Sequence, residues 1–338
     1  MVTEKLYLGE RTEQSIKTAA EIIKNGGVVA MPTETVYGLA ASAFDNSAIK
    51  KVFTAKGRPQ DNPLIVHIAN IEELHVIAKD INEEALLCAK KFWPGPFTMV
   101  VNKTEKVCES VSCGLNTVAV RMPNNQTALS LIKASGVPLA APSANSSGSP
   151  SPTTAQHVIS DLDGKIDAVL MGERCEVGVE STVVSFCGEN PVLLRPGAVT
   201  LEQLKEIVPN ITVDPAVFKS PKANQKVLSP GMKYKHYSPL CQLVLVEGDS
   251  EDFCRYVNQK GGFAVCFNED TEHLTGQHQV YGKNENDSSL AYSLFHVLRE
   301  LDEKGIKEGY VHAPQKNGVG LAVYNRLIRA CAYRVVKL

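Results

Sequence analysis

The sequence predicts a mixed α/β protein in three parts: a mixed-sheet domain over residues 1–210, a basic proline-rich linker over 211–240, and a small open α/β domain over 241–338. Three observations predict it. Short apolar runs of strand length alternate with segments of helical period through the first two hundred residues. Between 211 and 240 that periodicity lapses, and Pro215, Pro221, Pro230, Gly231 and Pro239 punctuate the chain. Beyond it, strand-like and helix-like segments alternate, as parallel units joined by right-handed crossovers require.

The elements follow in order. Ser15 to Asn25 carries Ile16, Ala19, Ala20 and Ile23 at helical spacing and stops at Gly26-Gly27. Val28 to Met31 is a short buried strand ended by Pro32. Asn46 can cap a helix with Ile49, Val52 and Phe53 on one face. Leu64 to Ile68 reads as a strand, and Glu83 to Trp93 as a helix stopped by Pro94-Gly95-Pro96. Thr98 to Val101, Val118 to Met122, Asp167 to Met171, Ser181 to Phe186 and Val192 to Leu194 read as strands, with several antiparallel pairs expected. Thr200 and Gln203 form a capping box opening a helix to Val208. In the last part, strands at 242–246, 263–267 and 309–312 alternate with helices near 251–259, 288–303 and 319–332. No G-x-G-x-x-G occurs there, so that domain reads as cofactor-free.

Composition narrows the function classes. The chain has 338 residues, 43% hydrophobic and 21% charged, with a net charge of −2. That balance argues against a surface basic all over and built to coat nucleic acid. The positive charge is concentrated: Lys219, Lys222, Lys226, Lys233 and Lys235 against Asp214 give residues 211–240 a net of +4. Met1 to Gln14 has charges of both signs and no apolar core, unlike a signal peptide, and no apolar run reaches the length of a membrane span. A cytoplasmic protein is expected. Nine cysteines without a Cys-x-x-Cys pair read as reduced, mostly buried thiols and not as a structural metal site.

Four clusters could carry chemistry. Lys56 and Arg58 with Asn62 could grip phosphates, where each cation at a few ångströms contributes about 4 kcal/mol at an effective dielectric near 20; a solvated helix end explains them as well. Ala141 to Ser151 is rich in Ser and Gly, which leave backbone N–H groups for phosphate oxygens, or simply form a turn before the helix at Thr153-Thr154. Ser181 at a strand start and Arg195 at a strand end could face one cleft, or belong to an amphipathic strand pair. Thr33, Thr35 and Tyr37 alternate after Pro32, with His67 and Arg121 at strand ends; alone, that histidine reads as structural and that arginine as a surface ion-pair partner.

Taken together, the clusters resemble the threonylcarbamoyl-AMP synthase family. The match is carried by Pro32-Thr-Glu-Thr-Val-Tyr-Gly-Leu39, Lys56-Gly-Arg-Pro59 with Asn62-Pro-Leu64, Pro142-Ser-Ala-Asn145, Glu180-Ser-Thr-Val183 and Leu194-Arg-Pro-Gly197. Ser229-Pro-Gly-Met-Lys-Tyr-Lys-His-Tyr-Ser-Pro239 resembles the linker of the longer, two-domain form. The resemblance implies a YrdC-like catalytic domain followed by a Rossmann-like accessory domain. It implies an enzyme joining L-threonine, bicarbonate and ATP into threonylcarbamoyl-adenylate and pyrophosphate. The product would pass to a tRNA threonylcarbamoyl transferase that modifies the adenosine beside the anticodon. By resemblance the ATP positions are Lys56, Arg58, Asn62, Thr117, Ser143, Ser151, Arg195 and Tyr234, with Lys56 and Arg58 also catalytic. The threonine positions are Thr35, His67, Arg121, Ala141 (through its backbone) and Ser181.

The chemistry needs no covalent enzyme nucleophile, and neither a Gly-x-Ser-x-Gly nor a convincing Cys-His pair is present. Mg²⁺ is expected to arrive on the ATP phosphates, since it keeps its water and needs few protein ligands. The basic linker could fold over the mouth of the site as a lid, and leaves room for weak RNA contact. Two other classes compete. A non-catalytic module gripping double-stranded RNA would bind in a salt-sensitive way without consuming ATP. A carbamoyltransferase sharing the YrdC-like domain would need zinc modules that this cysteine spacing cannot supply.

Overall fold

The computed structural model describes residues 2–219 and 237–338. The first domain is one long mixed sheet with helices packed on its faces. Across the sheet the strands run Glu4–Tyr7, Ala168–Met171, Val29–Met31, Gly38–Ser42, Leu139–Ala140, Ile65–His67, Thr117–Arg121, Phe97–Lys103, Thr182–Ser185, Val192–Arg195 and Thr212–Val213, with Ala78–Lys79 also paired to Phe97–Lys103. Parallel and antiparallel pairs are mixed across it, and several pairs are antiparallel, as the sequence predicts. The strand Thr212–Val213 lies inside the segment read as linker, paired in parallel with Val192–Arg195.

Register gathers the polar strand ends. Ile65–His67 runs parallel to Thr117–Arg121 with His67 opposite Arg121. Phe97–Lys103 runs antiparallel to it with Thr98 opposite Arg121, and Thr182–Ser185 runs parallel to Phe97–Lys103 with Val183 opposite Thr98. Four neighbouring strands therefore present His67, Arg121, Thr98 and the Ser181 approach at one sheet end.

Two expectations need correction. The helix Asn46–Lys56 is capped by Asp45, whose carboxylate accepts the N–H groups of Ser47 and Ala48; Asn46 is already its first residue. Beyond the strand that Pro32 ends, as expected, residues 33–37 form a turn: Thr33 Oγ1 accepts from the N–H groups of Thr35 and Val36 and donates to Val36 O at 2.6 Å. The capping box at Thr200 and Gln203 forms, but its helix is the short Leu201–Lys205. The helix Gln126–Ser135 was not expected from the sequence, although Asn125 caps it by accepting from Ala128 N–H.

The second domain is a five-stranded, all-parallel sheet ordered His278–Gly282, Phe263–Phe267, Glu308–His312, Gln242–Glu247, Val335–Lys337. The two edge strands escaped the sequence reading: each is only partly buried and so lacks an apolar run, and Val335–Lys337 is also short. Helices Ser250–Lys260, Asp287–Glu303 and Gly320–Ala330 form its crossovers.

The domains are locked together. Val36 and Val179 of the first domain pack into the apolar core of the second, beside Ala291, Leu294 and Phe295. Gly178, at φ +84°, lets the helix Asp287–Glu303 approach closely: a Cβ there would lie 2.4 Å from Ala291 O. Arg299 on that helix makes a two-pronged ion pair with Asp161, at 2.9 and 3.0 Å, and Arg174 stacks on Tyr292.

Candidate active site

At the gathered strand ends lies a cavity of about 720 Å³, counting the space at its open mouth. Its first wall is the Thr33 turn. Thr35 Oγ1 accepts from Arg121 Nη1 at 2.8 Å, and Glu34 Oε2 lies 2.6 Å from Arg121 Nη2, both side chains being buried. Arg121 also reaches Gly95 O, so three residues hold its guanidinium in one orientation.

The second wall is the end of the helix Asn46–Lys56. Gly57, at φ +61°, terminates it and turns Arg58 inward. Lys56 Nζ donates to the carbonyls of Ser143 and Asn145. Arg58 is braced by the carbonyls of Asn62 and Pro63 at 3.2 Å.

The third wall is the loop 141–152, zipped onto the first: Leu39 N–H donates to Pro142 O, Ala144 N–H to Tyr37 O and Tyr37 N–H to Pro152 O. Asn145 stitches it internally, accepting from Ser143 Oγ and donating to Ser146 O and Ser149 O. The fourth wall is the strand pair ending in Ser181 and Arg195. Arg195 donates to Ser181 O at 3.0 Å and to Ser181 Oγ at 3.2 Å, and that hydroxyl lies 2.8 Å from Thr98 Oγ1. Tyr237, near the end of the linker segment, completes the lining.

Ten of the residues singled out in the sequence line this one cavity: Thr35, Lys56, Arg58, His67, Arg121, Ala141, Ser143, Ser151, Ser181 and Arg195. The N–H of Ala141 is already used by Ile65 O, so a backbone contact from Ala141 to a ligand would come from its carbonyl. Asn62 is buried behind Arg58 and reaches the site through its carbonyl. Thr117 is not among the lining residues; it begins the strand that Arg121 ends. Tyr234, with the lysines at 222, 226, 233 and 235, lies outside the described residues.

Sequence reasoning named Thr33 without giving it a binding role and passed over Glu34, Asn145, Glu180 and Tyr237. Each sits inside a quoted motif. The signal was present, but what these residues contact depends on tertiary placement, which one-dimensional order does not reveal.

Burial dominates the electrostatics. It pushes Lys56 well below the ordinary lysine range, with Arg58 adding repulsion. It pushes Arg58 and Arg195 down to about 10. Burial, then Arg121, lowers His67 to about 3, so its imidazole is neutral at pH 7; its Nδ1 lies 3.2 Å from Ile65 O. The site thus holds several cations in a low-dielectric pit, a setting suited to a polyanion.

Among the described residues no helix is long and apolar enough to cross a membrane, and no group of three His, Cys, Asp or Glu is placed to hold a metal. Six of the nine cysteines, all free thiols, are buried.

Comparison with known proteins agrees with this geometry. A family model for Sua5, YciO and YrdC proteins, described as telomere recombination, matches residues 21–197. A second, described as the C-terminal domain of threonylcarbamoyl-AMP synthase, matches residues 199–332. The threonylcarbamoyl-AMP synthase of Pyrococcus abyssi is 44% identical over 97% of this chain and 98% of its own length. That of Bacillus subtilis is 42% identical over 99% and 97%. The structure of Pyrococcus abyssi Sua5 complexed with L-threonine superposes with a TM-score of 0.89 at 41% identity, covering all of both chains. A double-alanine variant of that protein gives 0.90 at 42% identity, over 99% of this chain and 98% of its own. With the strand-end cavity, both domain matches and full-length relatives in agreement, the chain belongs to the threonylcarbamoyl-AMP synthase family, enzymes of the nucleotidyltransferase class.

Proposed function

We propose that the cavity joins L-threonine, bicarbonate and ATP into threonylcarbamoyl-adenylate, releasing pyrophosphate, and that the product supplies threonylcarbamoyladenosine modification of tRNA next to the anticodon. The observation that carries this reading is the meeting of two chemically distinct halves in one pit. Arg121, Thr35, His67 and Ser181 give its strand-end side a fixed cation and hydroxyls suited to an amino acid. Lys56, Arg58, Arg195, Ser143 and Ser151 form a cationic, hydroxyl-rich half suited to a triphosphate.

Arg121 receives the threonine carboxylate, and a neutral His67 adds no charge to repel the ammonium group. Once the ammonium group has released a proton to solvent, the free amine attacks bicarbonate, forming the N–C bond of a carbamate with loss of water. A carbamate oxygen then attacks the α-phosphorus, and the bond to the β-phosphate bridging oxygen breaks to release pyrophosphate. The residues contribute positioning and charge neutralisation and form no covalent bond to substrate. Lys56 orders the loop 143–145 through its carbonyl contacts while directing its charge at the phosphates. Mg²⁺ enters as part of the nucleotide substrate, held by phosphate oxygens and water, where it neutralises charge on the leaving pyrophosphate. Such a product suits handover within the cytoplasm to a tRNA-modifying transferase.

The test is pyrophosphate release with each substrate omitted in turn. Release should require ATP, threonine and bicarbonate together. Release independent of threonine would overturn the reading, and salt-sensitive binding of double-stranded RNA with no ATP consumption would replace it with the RNA-binding alternative.

Lys56 gives a pH prediction. Its folded pKa is lowered from 10.5, so the ammonium is lost as pH rises through that lowered value. ATP affinity should therefore fall on the alkaline side at a lower pH than an ordinary lysine would dictate. Stability moves the other way: between the folded pKa and 10.5 the unfolded chain holds more protons, so this group's contribution rises with pH. ATP titrations from pH 7 to 10 on the native chain and on Lys56→Met check it; the variant should lose the alkaline limb, and an identical limb in both would refute the assignment.

A further inference from the structure

Glu180 stands out in the cavity because it is the only carboxylate among the described lining residues, in a pit otherwise furnished with cations and hydroxyls. A buried carboxylate facing a polyphosphate opposes binding unless another charge compensates it. The compensation comes from the other domain. Arg326, on the helix Gly320–Ala330, is completely buried and reaches across the interface. Its Nε lies 3.0 Å from Glu180 Oε2, its Nη2 3.2 Å from Glu180 O, and its Nη1 donates to Pro196 O. Neighbouring Asn325 fastens the same helix to Val217 O at 2.7 Å.

The carboxylate is divided between two tasks. Oε2 faces Arg326, while Oε1 accepts from Ser151 Oγ at 2.5 Å. Arg195, a lining cation that also attracts Glu180, bonds to Ser181. Burial pushes Glu180 up, but Arg326, Arg195 and Ser151 together outweigh it and hold the group below the usual carboxylate range, so it is charged at neutral pH.

We infer that Arg326 is a positioning residue of the nucleotide half of the site: the accessory domain neutralises Glu180 from behind the wall, which orients Ser151 and keeps Arg195 turned to the incoming phosphates. Without it, the carboxylate draws Arg195 to itself and presents uncompensated negative charge to ATP. Arg121, the carboxylate anchor of the threonine half, does not depend on that helix, being held by Glu34, Thr35 and Gly95 of the first domain. The second domain is then an electrostatic component of the nucleotide site and not only a support for the linker. This inference rests on the adenylate-forming reading above.

The test uses the full chain as Arg326→Met, Glu180→Gln and the double variant. Calorimetry reads Mg-ATP and threonine binding separately, and pyrophosphate release gives KM and kcat. Arg326→Met should weaken ATP binding by about 10–100-fold and leave threonine affinity within about 3-fold, as loss of one partner of a buried charge pair predicts. Adding Glu180→Gln should restore at least about tenfold of ATP affinity, because the uncompensated charge is gone. Equal weakening of both ligands without rescue would reduce Arg326 to interdomain glue, and unchanged ATP affinity would remove its role; either overturns the inference. If Arg326→Met does not fold, Arg326→Lys carries the test, since it keeps charge but loses the fork. A loss of about tenfold confined to ATP supports the inference, and a loss shared by threonine overturns it. Because binding is read independently of turnover, a native chain that binds ATP but releases no pyrophosphate refutes the proposed reaction without touching Arg326.

Discussion

Arg121→Met should abolish threonine-dependent pyrophosphate release and destabilise the first domain by about 3–5 kcal/mol, the usual result of removing one partner from a buried ion pair. Arg121 and Glu34 are both buried, 2.6 Å apart at the strand end. Without the guanidinium, the Glu34 carboxylate has no cation, and Thr35 Oγ1 loses its donor at 2.8 Å. Adding Glu34→Gln should recover part of the stability, because a neutral amide is cheaper to bury than an unpaired charge. It should recover none of the turnover, because the cation for the substrate carboxylate is still missing. Denaturant unfolding and pyrophosphate release on the three variants decide it; full activity in the double variant would show that Arg121 serves the fold alone.

The second large effect is expected at Arg58. Its guanidinium is braced by the carbonyls of Asn62 and Pro63 and lines the nucleotide half of the cavity. Arg58→Met should lower kcat for pyrophosphate release by about 10²–10³-fold, the range seen when one preorganised donor to a developing charge is removed. Stability should change less than at Arg121, because the acceptors that brace Arg58 are backbone carbonyls and not a buried carboxylate. Single-turnover rates at saturating ATP separate this from a binding defect. A normal rate with raised KM would make Arg58 a ground-state binding residue instead.

Much of this was legible in the chain. The helix from Asn46, the strands ending at His67 and Arg121, and the alternation of the last hundred residues follow from local periodicity and turn chemistry. So did the capping box at Thr200, because its two hydrogen bonds span only three residues. The misplaced helix cap has a physical cause. Asp45 outcompetes Asn46 as a cap because its carboxylate reaches both Ser47 and Ala48.

The sequence by itself determined which chemistry the chain could perform: its motifs supply the cations, hydroxyls and tight turns, and those residue types and their order name the family. Only the tertiary structure decided which of them work together. Arg121 pairs with Glu34, Lys56 with the loop at 143–145, and Glu180 with Arg326, 146 positions away. Periodicity reports on neighbours within a turn or a pleat, whereas the charge on a buried group depends on whatever side chain the fold places against it.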